Sequence, residues 1–269
     1  MSEHALSVLR VAYYAGSLGT FAFLVTWEGG DPKTAPPPRR VQHILRNLAL
    51  LGLVVAIADG LVLGWLMRVP WRLNENQGLL SVLSLPLVVL FAVGFVLADL
   101  FDYAFHRLLH RWRWLWLIHA VHHSDPHVDA STGARFHPAE VVVEVVLKTS
   151  LFLVLGIPLW VEGARATVLN PLNLVQHANV EYPRWIERWF SWLLVTPDMH
   201  RIHHSPEPRE TNSNFGAVFS FWDRLCGTYV RRNPGSVPTY GLRRLAADPW
   251  QTLSGMVLTP IRARGLGDL

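Results

Sequence analysis

Cysteine and lysine are both scarce. Cys226 is the only cysteine in 269 residues, which excludes an internal disulfide and a thiolate metal cage, so a metal bound here must rest on nitrogen and oxygen ligands. Lys33 and Lys148 are the only lysines, and the remaining positive charge sits on arginines in loops and helix flanks rather than in runs. Charged residues make up only 16% of the chain and the formal net charge is +4, a pattern that suits anionic lipid headgroups and not a nucleic-acid groove. Also missing are a Gly-x-Gly-x-x-Gly nucleotide loop, a cysteine cluster for iron–sulfur and a haem module. The opening MSEHALSVLR has no basic segment, and the apolar stretch after it ends in Trp27-Glu28 rather than in small residues. We therefore expect no cleavable signal and assign targeting to the first membrane helix.

What fills the chain instead is hydrocarbon, at 51% hydrophobic residues. A bilayer core requires about 20 residues of helix. Three runs qualify: Val11 to Trp27, Leu48 to Met67 interrupted only by Asp59, and Leu79 to Ala98. An aspartate at mid-bilayer costs roughly 2.5 to 3.5 kcal/mol on insertion scales, so Asp59 is expected to face other helices. Three positive charges in EGGDPKTAPPPRR against two in RVPWRLNENQ put the first linker in the cytoplasm, the N-terminus outside and the end of the third run inside. Val141 to Val161 is apolar apart from Glu144 and Lys148, an i,i+4 pair, and beyond a break at EGAR the more polar arm Ala166 to Val180 completes a membrane hairpin over 141–178. Such a hairpin returns residues 137 and 177 to one side. RWIERWFSWLLV, 184 to 195, has the aromatic and arginine mix of an interfacial helix. The expected fold is all-α and polytopic, with about four transmembrane helices or hairpin arms, divided into spans in 1–98, a histidine-rich region 99–230 and a tail 231–269.

Histidine is the residue in excess, at thirteen. TPDMHRIHHSPE places His200, His203 and His204 within about a 100° arc of a helix, with Thr196 as N-cap, Pro197 at its first position and Ser205-Pro206 as the stop. IHAVHHSDP does the same with His119, His122 and His123, and DYAFHRLLH puts His106 and His110 one turn apart. Imidazole nitrogen suits zinc, copper, iron and nickel. One ion takes four to six ligands, so eight convergent histidines imply two ions. Arg107, Ala120 and Arg201 stand where a zinc protease would carry glutamate, which disfavours hydrolysis by that route. A pair of redox-active irons with open positions for oxygen fits the ligand type and the membrane setting, although zinc or another divalent ion can occupy such a site in a purified sample. Asp102, Asp125, Asp198 and Glu140 are candidates to accept the ring N–H bonds that metal-bound histidines require. His4, His43 and His127 are set aside as ordinary polar groups.

HRLLH, HAVHH and HRIHH, with RFHPAE, NLVQHANV and SFWDRLCGTY, together resemble the fatty acid hydroxylase superfamily, which includes sterol desaturases, sterol C4-methyl oxidases and alkylglycerol monooxygenase. The resemblance covers roughly residues 85 to 230. It implies an integral membrane di-iron enzyme with a helical cap on the cytoplasmic side, which uses O2 and two electrons to hydroxylate or desaturate a lipid C–H bond. It carries the ligand role to the eight box histidines and adds His177, the isolated histidine between the second and last boxes, and His137 in RFHP. Where some members have a further histidine four residues before the isolated one, this chain has Asn173. TNSNFG, around Asn214, resembles a segment lying close to the boxes. No other catalytic or cofactor-binding residue is assigned. The lipid comes from the bilayer, and the electrons come from a separate reductase, ferredoxin or cytochrome. Arginine-over-lysine usage points to a bacterial inner membrane rather than endoplasmic reticulum. The competing reading is a histidine-rich membrane metal-binding or transport protein, which would require ligands within the spans.

Overall fold

The computed structural model describes residues 3–57, 78–232 and 239–266; Asp59, the end of the second apolar run and the linker from 68 to 77 lie outside them. Every regular element among the described residues is helical. Helix α1 spans Glu3–Gly30 and α2 spans Arg40–Ile57, separated by a linker whose three consecutive prolines, Pro36 to Pro38, cannot continue a helix. The third apolar run divides. A 3-10 turn over Leu79–Leu83 is followed by Ser84 at φ 46° and then by Pro86, so α3 begins only at Leu87 and continues to Arg111. The run of hydrophobic letters hides that break, because Pro86 lacks the N–H a continuing helix needs and pushes Leu85 out of the helical region. By length and composition, Ser7–Gly30, Arg40–Ile57 and Leu87–Arg111 can each cross a membrane. The chain is a membrane protein.

Helices α4 (Arg113–His123), α5 (Pro138–Leu155) and α6 (Trp160–His177) follow. The expected hairpin is α5 with α6, but its turn falls at Gly156 rather than at EGAR. Gly156 takes the left-handed conformation that ends a helix, and Pro158 prevents its resumption. Glu162 and Arg165 instead lie inside α6, where they join a buried charge network. Arg165 donates to Glu162 at 2.8 Å and to Asp102 of α3 at 2.7 Å, and Lys148 of α5 reaches Asp102 at 2.7 Å and Glu144 at 2.8 Å. Three helices are thus tied by ions placed one turn apart. Asp99 completes the set by accepting the backbone N–H groups of Val218 and Phe219 and the indole N–H of Trp222.

The rest of the chain forms a cap of short elements: α7 (Arg184–Phe190), α8 (Pro197–His203), α9 (Pro208–Thr211), α10 (Phe221–Leu225), α11 (Asp248–Gln251) and α12 (Leu253–Arg262). Trp185, Trp189 and Trp192 are all more than half exposed, as an interfacial segment requires. Helix α1 packs along α6, with Leu24 against Leu174, Ala178 and Val180. At its end the buried Glu28 accepts N–H bonds from Ala130 and Asn179, both at 2.8 Å, which couples the loop after α4 to the end of α6.

Candidate metal centre

Four helices deliver the histidines from their C-terminal ends. His106 and His110 lie on the last turns of α3, His119, His122 and His123 on the last turns of α4, His177 closes α6, and His200, His203 and His204 sit on α8 and its C-cap. The rings gather into two groups. His106, His110, His119, His123 and His203 form one; His122, His177, His200 and His204 form the other, and within each group the candidate ligand atoms lie within 4.8 Å of one another. Consecutive residues serve different groups: His122 and His123 divide between them, and so do His203 and His204.

The hydrogens on these rings decide what the groups can hold. His122 Nδ1 faces the Arg135 carbonyl at 3.2 Å and His177 Nδ1 faces the Asn173 carbonyl at 2.7 Å. A carbonyl only accepts, so both rings carry their hydrogen on Nδ1 and both Nε2 atoms are bare. Yet those two Nε2 atoms stand 3.2 Å apart. His106 repeats the pattern, with Nδ1 donating to the Phe215 carbonyl and Nε2 only 3.1 Å from Nε2 of His119, whose own Nδ1 points at Glu140 Oε1 at 2.8 Å. Lone pairs facing one another repel unless a proton or a cation lies between them. Protonation is disfavoured: burial pushes His119 down to about 3 and holds His122, His123, His200, His203 and His204 well below the usual imidazole range. Two nitrogens bound side by side to one cation at about 2.1 Å stand about 3.0 Å apart, close to the spacing seen. Both ring nitrogens of His110 and Nε2 of His203 are also buried with no hydrogen-bond partner among the described residues. The donor set fits two divalent cations.

The sequence profile of the family described as fatty acid hydroxylase matches residues 91–228, just over half of the chain, and takes in all nine of these histidines. The chain belongs to the fatty acid hydroxylase family. An ornithine lipid hydroxylase, OlsE, of Rhizobium tropici is 33% identical over 145 residues, covering 54% of this chain and 43% of that protein. The human alkylglycerol monooxygenase is 28% identical over 156 residues, 55% of this chain and 32% of that one. A cholesterol 25-hydroxylase-like protein of Danio rerio is 26% identical over 202 residues, 74% of this chain and 70% of that one. The chain spans less than half the length of the first of these relatives and about a third of the second. No solved structure matches.

Much of what surrounds the rings in this family member comes from two stretches in which the sequence assigned roles only to Glu140 and His137. In RFHPAE, Arg135 is buried and donates to the Val121 carbonyl, Asn47, Ser124 and Gln251, which fixes the carbonyl that orients His122. Phe136 stacks on His122 at 4.7 Å, and Glu140 is the acceptor for His119. His137, expected among the ligands, is placed outside both groups. Its Nδ1 accepts the Ala139 N–H as an N-cap of α5, and its Nε2–H faces the Val257 carbonyl at 3.1 Å, so neither nitrogen is directed at a group.

The second stretch is Ser213-Asn214-Phe215. Asn214 is buried at φ 52°, the left-handed conformation asparagine tolerates best after glycine. Its side chain donates to the carbonyls of Met199 and Val230 and accepts the Val230 N–H. The reversal aims the two flanking carbonyls at one group: Ser213 O takes the His203 Nδ1 hydrogen at 2.7 Å and Phe215 O that of His106 at 3.0 Å.

Of the four carboxylates expected to touch the rings, only Glu140 does. Asp102 belongs to the Lys148–Arg165 network, Asp125 accepts from Thr132 and lies 3.4 Å from His43, and Asp198 pairs with Lys33. Backbone carbonyls take the positions that side chains were expected to fill, and no residue-type pattern announces a carbonyl. Asn173 contributes its backbone oxygen to His177, while its side chain holds the Gly133 carbonyl at 2.7 Å.

Proposed function

We propose that this protein is an O2-dependent membrane di-iron oxygenase that hydroxylates a C–H bond of a lipid. His106, His110, His119, His123 and His203 would hold one iron, and His122, His177, His200 and His204 the other. The observation that carries the reading is the pairing of bare Nε2 atoms at about 3 Å within each group, deep in a membrane-embedded helical frame. When bound, the irons supply the redox chemistry that splits O2 and attacks an unactivated carbon. The balance is RH + O2 + 2 electrons + 2 protons to ROH + H2O.

The chain's own residues present, orient and exclude. Four backbone carbonyls and Glu140 keep ring hydrogens on Nδ1 and so keep Nε2 available in both oxidation states. A cavity of about 220 Å³ opens onto both groups through His106, His119, His122 and His200, and Phe105, Leu109 and Phe136 line its apolar part. A lipid can enter it from the bilayer without crossing water. Relatives act on an ornithine lipid and on alkylglycerols by name, so a polar lipid is the substrate class favoured here. The two electrons come from a separate donor, a reductase, ferredoxin or cytochrome, and the site faces the cytoplasm of a bacterial inner membrane.

The test is metal analysis joined to lipid profiling. Purified protein should retain two irons, His203→Ala and His122→Ala should each lose metal and turnover while still inserting in membranes, and cells carrying the gene should accumulate a lipid 16 mass units heavier. Full activity in both variants would overturn the proposal. Metal flux into vesicles without oxidised lipid would instead favour transport.

A further inference from the structure

Unpaired positive charge is gathered on one face of the protein. Arg111 and Arg113 stand at the tip where α3 gives way to α4, Arg243 and Arg244 lie between Leu242 and Leu245, and Arg262 and Arg264 flank Ala263 at the end of α12. Leu242, Leu245 and Ala263 pack with Leu117 and Ala120 of α4 in one buried cluster, so the three segments share a surface. Arg113 donates to the carbonyls of Arg264 at 2.7 Å and Leu266 at 3.1 Å, and Arg264 lies 4.9 Å over the Trp114 ring. All six arginines are exposed. The lysines and arginines that do meet carboxylates among the described residues are Lys33, Arg40, Arg46, Lys148, Arg165 and Arg232. Of the 24 basic residues, those outside this face are outnumbered by the 20 acidic ones, so the face carries the whole positive excess.

This face stands clear of the bilayer. The exposed tryptophans of 185–192 are held near the level of Asp99, through the Leu194–Phe219 bridge and the Phe219 N–H bonded to the Asp99 carboxylate. Arg111 is twelve residues further along α3, about 18 Å at 1.5 Å per residue. Headgroup charge is screened over about 8 Å at physiological salt, so lipid does not neutralise these arginines. Trp112 and Trp114, 60% and 65% exposed, stand among them. Arginine beside exposed tryptophan, without lysine or glutamate, is the composition of a protein-binding hot spot.

Beneath the face lies an aromatic ring that touches the candidate ligands. Trp116 packs on the same buried cluster, and its ring centroid is 4.8 Å from that of His110, 5.4 Å from His123 and 6.3 Å from His119, three members of the five-histidine group. Its indole N–H is buried with no acceptor among the described residues, so stacking and not a hydrogen bond positions the ring. We propose that an acidic one-electron carrier protein docks on the arginine face and that Trp116 conducts its electrons to the five-histidine group. In each encounter the carrier is oxidised by one electron and an ion of that group is reduced by one. Two encounters supply the two electrons of the balance given above, with the protons drawn from water. The redox purpose rests on the oxygenase reading, but the docking does not. Carboxylates of the carrier meet six arginines that lack carboxylate partners of their own, which steers and orients the encounter. Contiguous rings then keep short the gap that the electron crosses.

The docking arm of the test uses the zinc-loaded protein in neutral detergent, with an oxidised, acidic plant-type [2Fe–2S] ferredoxin as the probe. Ferredoxin should bind at low salt and lose roughly tenfold or more in affinity between about 50 and about 300 mM salt. The double variant Arg243→Glu/Arg244→Glu should weaken it as much, while Arg184→Glu/Arg188→Glu, on the tryptophan-rich membrane segment, should leave it unchanged. Undiminished binding to the face variant, or equal binding of basic cytochrome c, would overturn the proposal. So would quenching of a dye at Arg244→Cys, in a Cys226→Ser background, by headgroup-labelled lipid, which would assign the face to the bilayer. The transfer arm follows ferredoxin oxidation by the iron-loaded protein in stopped flow. Trp116→Leu should slow it severalfold at saturating ferredoxin with ferredoxin affinity unchanged, and Trp116→Phe should recover most of the rate; if leucine lowers bound iron, Trp116→Met takes its place. An unchanged rate would remove Trp116 from the path. Docking with no electron accepted by the unsubstituted iron-loaded protein would refute the oxygenase reading; ferredoxin-driven lipid oxidation without salt-sensitive docking would refute this face alone.

Discussion

Glu140→Gln isolates one half of the proposed centre. The Glu140 carboxylate accepts the Nδ1 hydrogen of His119 at 2.8 Å with both side chains buried, and His119 belongs to the five-histidine group only. An amide keeps the shape and can still accept the hydrogen, but removes the charge that makes the ring a better donor to a cation. Loss of such an orienting partner costs 10- to 100-fold in metal affinity, about 1.4 to 2.7 kcal/mol. A second effect opposes it. In the metal-free site burial pushes the Glu140 carboxyl up to about 8, so it must ionise when a cation enters, which costs about 1.4 kcal/mol at pH 7. The variant has no such cost, so the expected loss is about tenfold, at the lower end of that range. Chelator competition followed by metal analysis should show one ion bound about tenfold more weakly and the other, held by His122, His177, His200 and His204, unchanged. The variant should also release about one proton fewer on metal binding at pH 7. Unaltered affinity for both ions, or equal weakening of both, would refute the division of ligands between two centres.

His137→Ala should leave metal content at the unsubstituted level and lower the melting temperature slightly, since it removes an N-cap at roughly 1 kcal/mol; loss of an ion would restore His137 as a ligand. Asn214→Ala should reduce iron in the five-histidine group by on the order of tenfold, because the two carbonyls holding His203 and His106 lose their anchor, and metal titration of the variant checks it. Lys148→Met should destabilise by up to about 3 kcal/mol by leaving Glu144 unpaired and Asp102 with Arg165 alone, read as a lower melting temperature in detergent. For the metal-stripped protein, the box histidines outside the spans are held below their unfolded value near 6.5, so their contribution is present above that pH and is progressively lost as pH falls below it. Glu140, raised to about 8, acts in the opposite sense above about pH 4.5, but one carboxyl is outnumbered. Stability should therefore fall between pH 6.5 and 5 by on the order of 1 kcal/mol per pH unit for each ring, and a melting temperature independent of pH there would contradict the burial of neutral imidazoles.

The parts legible in the sequence were those encoded by periodicity. Same-face spacing of His106 with His110 and of the two His-x-x-His-His boxes gave eight of the nine gathered histidines, and the family resemblance supplied the ninth, His177, on the side to which the hairpin returns it. Division into two groups was not legible, because neighbours such as His122 and His123 diverge by about 100° around a helix and nothing in their identity says which ion each serves. The hairpin turn was misplaced for a related reason. EGAR looks like a polar interruption in a hydrophobic run, but Arg165 meets Asp102, 63 positions away, and Glu162 meets Lys148, 14 positions away, both across helices. The acceptors for the ring hydrogens were invisible because most are main-chain oxygens.

Twice in this fold a single peptide unit joins the two histidine groups, at 122–123 and at 203–204. Adjacent α-carbons are 3.8 Å apart and cannot stretch. The two histidine groups are thereby tethered through covalent backbone, and any pair of ions held there would have to conform to that gauge rather than reset it.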